Sequence, residues 1–194
     1  MVHDVKTEKV ALRAEIRERR RIMPPLERSI AERKLFDRMK RTVKKFQAKK
    51  IGCYISANDE PATLDFLSWA SGSGISVLVP AARQDGLMDW VVFDETNIVS
   101  TDDLGLPVPE STTYGPIILS ELDLIFVPAA CVAMDGMRLG WGRGYFDRAL
   151  GALSKEAPTF AVLFDHEVVD DVPREVHDQK VKGAITPERF IDLS

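Results

Sequence analysis

The sequence predicts an α/β fold: one domain over residues 1–194, with a largely parallel sheet flanked by helices on both faces and a basic N-terminal helical segment. Three observations predict it. Short, apolar, β-rich runs alternate with stretches of helical periodicity, as in parallel strands joined by crossover helices. Those runs are apolar throughout, as strands covered on both faces are. A chain of 194 residues can bury one sizeable core.

Residues 6–22 read as the first helix, with Val10, Leu12, Ile16 and Ile22 on its apolar side. Met23-Pro24-Pro25 ends it, because proline cannot continue a helix and restricts its predecessor. Residues 26–48 form a second helix, with Leu35, Met39, Val43 and Phe46 at helical spacing. A buried strand is predicted over 51–56 and a turn over 58–61, with Pro61 at the first position of a helix reaching Ala70. Strands follow over 75–79, stopped by Pro80, and over 87–93, after Asp85-Gly86. Residues 94–120, rich in Pro, Thr, Ser and Gly, read as irregular. A strand over 124–127 ends at Pro128, and a glycine-rich loop and a helix over 145–154 follow. The last strands are expected over 159–164 and 181–185. Ligands in such sheets sit beyond the carboxyl ends of the strands. Glu60 and the glycine loop each follow a strand, so both are predicted to open on one crevice.

The composition is that of a soluble globular protein, and no apolar stretch approaches a membrane span. The polar N-terminus has no signal-peptide core, so the expected location is the cytoplasm. Two cysteines, Cys53 and Cys131, make neither a disulfide framework nor a zinc site. The net charge of −4 hides a division. Residues 1–50 carry 17 Lys and Arg against 7 Asp and Glu, and the remainder is acidic. Such asymmetry fits a nucleic-acid arm, a positive element folded over an anionic ligand, or merely solvated helix faces. The apolar faces of these helices suit docking, and no nucleic-acid motif accompanies them.

The residues with most chemical content are Arg138 to Asp147, RLGWGRGYFD. Gly140, Gly142 and Gly144 alternate between two arginines and an aromatic pair. Glycines let backbone N–H groups gather round an anion, since no Cβ blocks the approach. Arg138 and Arg143 can neutralise phosphate, and Asp147 can reach a metal. The spacing is neither a Walker A loop nor a dinucleotide fingerprint.

The segment Val127 to Leu150, VPAACVAMDGMRLGWGRGYFDRAL, resembles the signature of the 5-formyltetrahydrofolate cyclo-ligase (methenyltetrahydrofolate synthetase) family. Other landmarks follow the same pattern: Lys9 and Arg13 on the first helix, Glu60 to Thr63, Gly105 to Pro109, and His177-Asp178. The resemblance implies ATP- and Mg²⁺-dependent conversion of 5-formyltetrahydrofolate to 5,10-methenyltetrahydrofolate, with ADP and phosphate released. It places Lys9, Arg13, Arg138, Leu139, Gly140, Trp141, Gly142, Arg143, Gly144, Tyr145 and Phe146 on ATP, with Arg143 and Tyr145 at the reacting centre. It gives Ile55 and Glu60 to the folate, and Asp147 and Asp178 to Mg²⁺. The partners implied are these small molecules, with no nucleic acid, no membrane and a monomeric chain. The chain departs from the pattern at Val132-Ala133, where the family has Phe-Asp, with Asp135 nearby but out of register. It departs again at Phe146, usually Tyr, and at Lys182, commonly Asp. The lost carboxylates keep open a second reading, a folate- or nucleotide-binding relative without turnover.

Overall fold

The computed structural model describes residues 4–57, 59–102, 105–151 and 157–193. Helix α1 (Val5–Ile22) starts where the Asp4 carboxylate accepts the Lys6 N–H. It ends at Met23-Pro24, and α2 (Pro25–Lys45) begins with proline in its first turn. Next come β1 (Lys50–Cys53), α3 (Leu64–Gly72), β2 (Ser76–Ala82) and β3 (Met88–Val92). Then follow β4 (Ile98–Thr101), β5 (Pro107–Pro109), β6 (Thr113–Tyr114), β7 (Leu124–Pro128), β8 (Cys131–Ala133) and β9 (Arg138–Leu139). The remaining elements are α4 (Tyr145–Gly151), β10 (Thr159–Val162), β11 (Val168–Val169), β12 (Gly183–Ile185) and β13 (Phe190–Asp192).

The main sheet has the order β13-β12-β10-β7-β1-β2-β3-β6. Its centre, β12 through β2, is parallel, while β13, β3 and β6 are antiparallel additions at the edges. The strand pleat divides the core in two. Leu124 and Phe126 face a layer with α2 and α3, whereas Ile125 and Val127 face α4 and the 3₁₀ turn Pro116–Glu121. A third cluster lies apart: Ile16 of α1 packs on Cys131, Ala133 and Leu139 of the small β11-β8-β9 sheet. That packing seats α1 beside the glycine loop.

Several sequence expectations are corrected. Val10 and Ile22 are exposed; Ile16 is buried as expected, and beside it α1 buries Lys9 and Arg20, which face ion-pair partners. Pro61 precedes α3 rather than opening it. The Thr63 hydroxyl accepts the Ser56 N–H and donates to the Tyr54 carbonyl, closing a loop before the helix starts at Leu64. Pro80 does not stop β2. Its missing N–H points away from β3, toward the side where β1 has already ended, so no ladder bond is lost. The 94–120 stretch contains β4, β5 and the edge strand β6, and β13 follows the strand expected to be last. Asn58 of the expected turn and residues 152–154 of the expected helix lie outside the described residues.

Candidate active site

The glycine loop leaves β9 with Gly142 at φ +96° and Gly144 at φ +70°, a left-handed backbone that favours glycine. A Cβ at Gly142 would also stand 3.2 Å from the Arg13 guanidinium carbon. Arg13 reaches the loop from α1, its Nε donating to the Gly140 carbonyl at 2.7 Å. Beneath the loop, Arg138 is buried and donates to the Pro128 carbonyl (3.1 Å) and to Asp147 Oδ1 (2.6 Å). Arg138 thereby braces the end of β7 against the first turn of α4.

A cavity of about 310 Å³ opens beyond the carboxyl ends of β1, β2 and β7. Tyr54, Ile55, Glu60, Pro80 and Met88 line it. From the glycine loop and α4, Arg138, Gly140, Trp141, Arg143, Gly144, Tyr145, Phe146 and Asp147 complete the lining. Most of the residues picked from the sequence therefore meet in one space. Arg143 is exposed at its mouth. The Tyr145 hydroxyl donates to the Arg83 carbonyl (3.0 Å), and Phe146 packs edge-on to Trp90.

Lys9, Arg13, Leu139, Gly142 and Asp178 stand outside the cavity lining. The Leu139 side chain belongs to the cluster under α1. Lys9 is almost wholly buried, and its ammonium donates to Glu175 Oε2 (2.9 Å) and Asp178 Oδ2 (2.5 Å). Asp178 in turn neighbours Gln179, whose N–H donates to Asp147 Oδ1 at 3.3 Å. Lys9, Asp178, Asp147 and Arg138 thus form a polar seam beside the glycine loop.

The charges of this seam are coupled. Burial works to raise the Asp178 carboxyl, but the Lys9 ammonium and the Glu175 N–H hold it below the ordinary aspartate range. The Lys9 contact likewise lowers Glu175. Burial depresses the Arg13 guanidinium, opposed by Asp178, Asp147 and Glu175. Glu60 behaves differently: burial raises it, while the Ala57 N–H and the Arg20 charge pull it back.

The donor set suits a small hard cation. Asp147 commits Oδ1 to Arg138 and Gln179, and Asp178 commits Oδ2 to Lys9 and Glu175; each keeps a second oxygen without a hydrogen bond among the described residues. Glu175, His177 and Asp178 also bring ligand atoms within 4.8 Å of one another, but two of these residues already pair with Lys9.

Arg17 and Arg20 were missed in the sequence, although they continue the Lys9–Arg13 stripe at helical spacing. Arg17 lines the cavity, and both guanidinium carbons lie just over 5 Å from the Trp141 ring centre. Of the sequence departures, Phe146 lines the cavity, while Val132, Ala133 and Lys182 stand outside its lining. Val132 and Ala133 are buried in β8, and Asp135 pairs with Arg174 and Lys180 in the β8–β9 turn. The Met137 N–H and Arg174 hold the Asp135 carboxyl down to about 2, and it does not replace the lost acid in the cavity.

A parallel α/β sheet with a mixed polar and apolar cavity at its strand ends, lined by a glycine loop between arginines, is the architecture of an α/β protein with a small-molecule site. Comparison sharpens that class. Residues 5–187 match the model of the 5-formyltetrahydrofolate cyclo-ligase family. The chain is 31% identical to the 5-formyltetrahydrofolate cyclo-ligase of Mycolicibacterium smegmatis over 152 residues, covering 76% of this chain and 78% of the relative. It is 27% identical to the mouse protein of that name, covering 91% and 92%. The fold also matches the NMR structure of Aquifex aeolicus 5,10-methenyltetrahydrofolate synthetase, with TM-score 0.81, 21% identity and coverage of 95% and 92%. The chain belongs to the 5-formyltetrahydrofolate cyclo-ligase family, and is an enzyme, a ligase of folate metabolism. No helix among the described residues is long and apolar enough to cross a membrane.

Proposed function

We propose that this chain uses ATP to convert 5-formyltetrahydrofolate into 5,10-methenyltetrahydrofolate, releasing ADP and phosphate. The observation that carries this reading is the single cavity that Ile55 and Glu60 share with the glycine loop. Glu60 suits a pterin, whose ring edge is rich in N–H donors that a carboxylate can accept. The loop suits phosphate. The family match over 5–187 also supports reading the chain as one cyclo-ligase-like domain.

The chemistry needs little covalent help from protein. A formamide is a weak electrophile, and its oxygen is a poor leaving group. Transfer of the γ-phosphoryl group to that oxygen breaks the terminal P–O bond of ATP and gives an imino-phosphate. N10 then attacks the former formyl carbon, its proton is lost, and phosphate leaves with the oxygen. The enzyme's work is positioning and charge neutralisation. Arg143 at the cavity mouth and the loop amides stabilise the transferring group, while Arg13 holds the Gly140 end of the loop. Tyr145 packs beside the formyl group. Asp147 and Asp178 would hold Mg²⁺, which when bound offsets phosphate charge. Lys9 holds Asp178 in place and adds positive charge near the phosphates.

The basic N-terminal helix belongs to this site, since Lys9, Arg13 and Arg20 turn inward rather than forming a solvent-facing arm. The test is an absorbance assay of methenyl product with ATP, Mg²⁺ and 5-formyltetrahydrofolate, with ADP measured in parallel. Equal product and ADP are expected. Tight folate binding without product would leave only the binding-protein reading.

A further inference from the structure

Beside the main cavity, a smaller cleft is lined by Arg17, Arg20, Ala57, Asp59, Glu60 and Trp141. Trp141 and Glu60 border both spaces, so whatever fixes them shapes the folate wall. Behind them lies an ion pair that the chemistry above does not use. Arg20 Nε donates to Glu167 Oε1 (2.6 Å) and Nη2 to Oε2 (2.8 Å), with both side chains almost wholly buried. Nη2 also donates to the Ala129 carbonyl at 2.9 Å, and Glu167 Oε2 accepts the Phe164 N–H at 2.8 Å. The guanidinium carbon stands 5.1 Å from the Trp141 ring centre and 5.7 Å from that of Phe164.

We propose that Arg20 is a positioning residue for folate recognition: clamped by Glu167, it fixes a cation against Trp141 and beside Glu60, holding both for the substrate's pterin ring. The proposal rests on the folate reading of the Glu60 wall.

A buried ion pair seldom repays its desolvation in stability, so a role in specificity fits its burial. Among the described residues, the buried donors without a hydrogen-bond partner include Arg20 Nη1 and Trp141 Nε1. The indole N–H is nonetheless near enough to Glu60 to favour its ionised form. Burial drives Glu60 toward the neutral acid, in which it would lose half its capacity to accept pterin N–H groups; the Arg20 charge opposes that. The charged and titratable groups around Glu60 are Arg17 and Arg20 on α1, Asp59 beside it, Tyr54 at the end of β1, and, across the shared main cavity, Asp102, Arg138, Arg143, Tyr145 and Asp147; Glu167 lies behind Arg20. Burial pushes the Tyr54 phenol well up, so it stays neutral.

The experiment measures KM for 5-formyltetrahydrofolate and for ATP against pH in the wild type, Arg20→Met, Arg20→Lys and Glu60→Gln. Ionised Glu60 binds the pterin, so wild-type folate affinity should rise with pH through its titration. Arg20→Met should move that midpoint to higher pH and raise the folate KM about tenfold on its acid side. The gap should narrow in alkali, with the ATP KM unchanged. Arg20→Lys should restore most of the shift, and Arg20→Met added to Glu60→Gln should change folate KM equally at every pH, through Trp141 alone. Arg20→Gln, which keeps donors for Glu167 and Ala129, carries the same test if the Met variant does not fold. A variant with lowered Tm but the wild-type folate midpoint would overturn the proposal, as would a pH-dependent gap that persists with Glu60→Gln. Wild-type protein that binds no 5-formyltetrahydrofolate at any pH would instead overturn the functional reading beneath it.

Discussion

Arg138 and Arg143 stand five residues apart in one motif, yet their environments differ. Arg138 lines the cavity from a buried position, donating to Pro128 and Asp147, while Arg143 is exposed at the cavity mouth. Arg143→Ala should therefore raise the ATP KM about tenfold, the worth of one charge-assisted contact, and leave Tm within a degree or two. An unchanged ATP KM would remove Arg143 from the phosphate site. Asp147→Asn acts on both counts, since the residue pairs with Arg138 and offers an oxygen to a cation. It should cost roughly 1–3 kcal/mol in denaturant unfolding and shift the Mg²⁺ titration to higher concentration. Lost stability with an unaltered Mg²⁺ titration would make Asp147 a brace alone.

At the scale of elements, α1 decides how the site is assembled. Its inward stripe is Lys9, Arg13, Ile16 and Arg20, and each cation meets a different segment: residues 175 and 178, the glycine loop, and Glu167. The Lys9 contacts hold Asp178 and Glu175 below their ordinary values. Carboxylates lowered in the folded state stabilise it above their unfolded pKa and lose that contribution as pH falls through the folded one. The Tm advantage of wild type over Lys9→Met should therefore be full above about pH 5 and shrink below about pH 4; a constant difference would deny the pairing. The loop that α1 touches is equally exposed to test. Gly142→Ala, forced into a left-handed backbone against Arg13, should cost about 1–2 kcal/mol and raise the ATP KM.

Much at this scale was readable in advance. Leu35, Met39 and Val43 fell at helical spacing and are buried, and the apolar run 124–127 became the central strand β7. What misled was α1. Apolar periodicity pointed rightly to Leu12 and Ile16 but also to Val10 and Ile22, whereas the rest of the buried stripe is set by ion-pair partners more than a hundred residues away, which local sequence cannot reveal. Pro80 misled for a similar reason, since whether a missing N–H matters depends on which neighbour stands beside it. The site was more legible than its supports: the glycine loop, Ile55 and Glu60 do share a cavity, but the Arg20–Glu167 clamp left no local signature.

For the whole molecule, the sheet does one mechanical thing. Parallel strands β1, β2 and β7 deliver their carboxyl ends to one edge, where Ile55 and Glu60 share a cavity with the glycine loop. That juxtaposition makes sense of a two-substrate ligation in which a phosphoryl group passes to a formyl oxygen that must then depart. The fate of that oxygen tests it most directly. Substrate labelled with ¹⁸O in the 5-formyl group, turned over with unlabelled ATP, should yield inorganic phosphate carrying one ¹⁸O per methenyl product formed. Unlabelled phosphate, with the isotope in water instead, would contradict transfer to the formyl oxygen and with it the proposed course of the reaction.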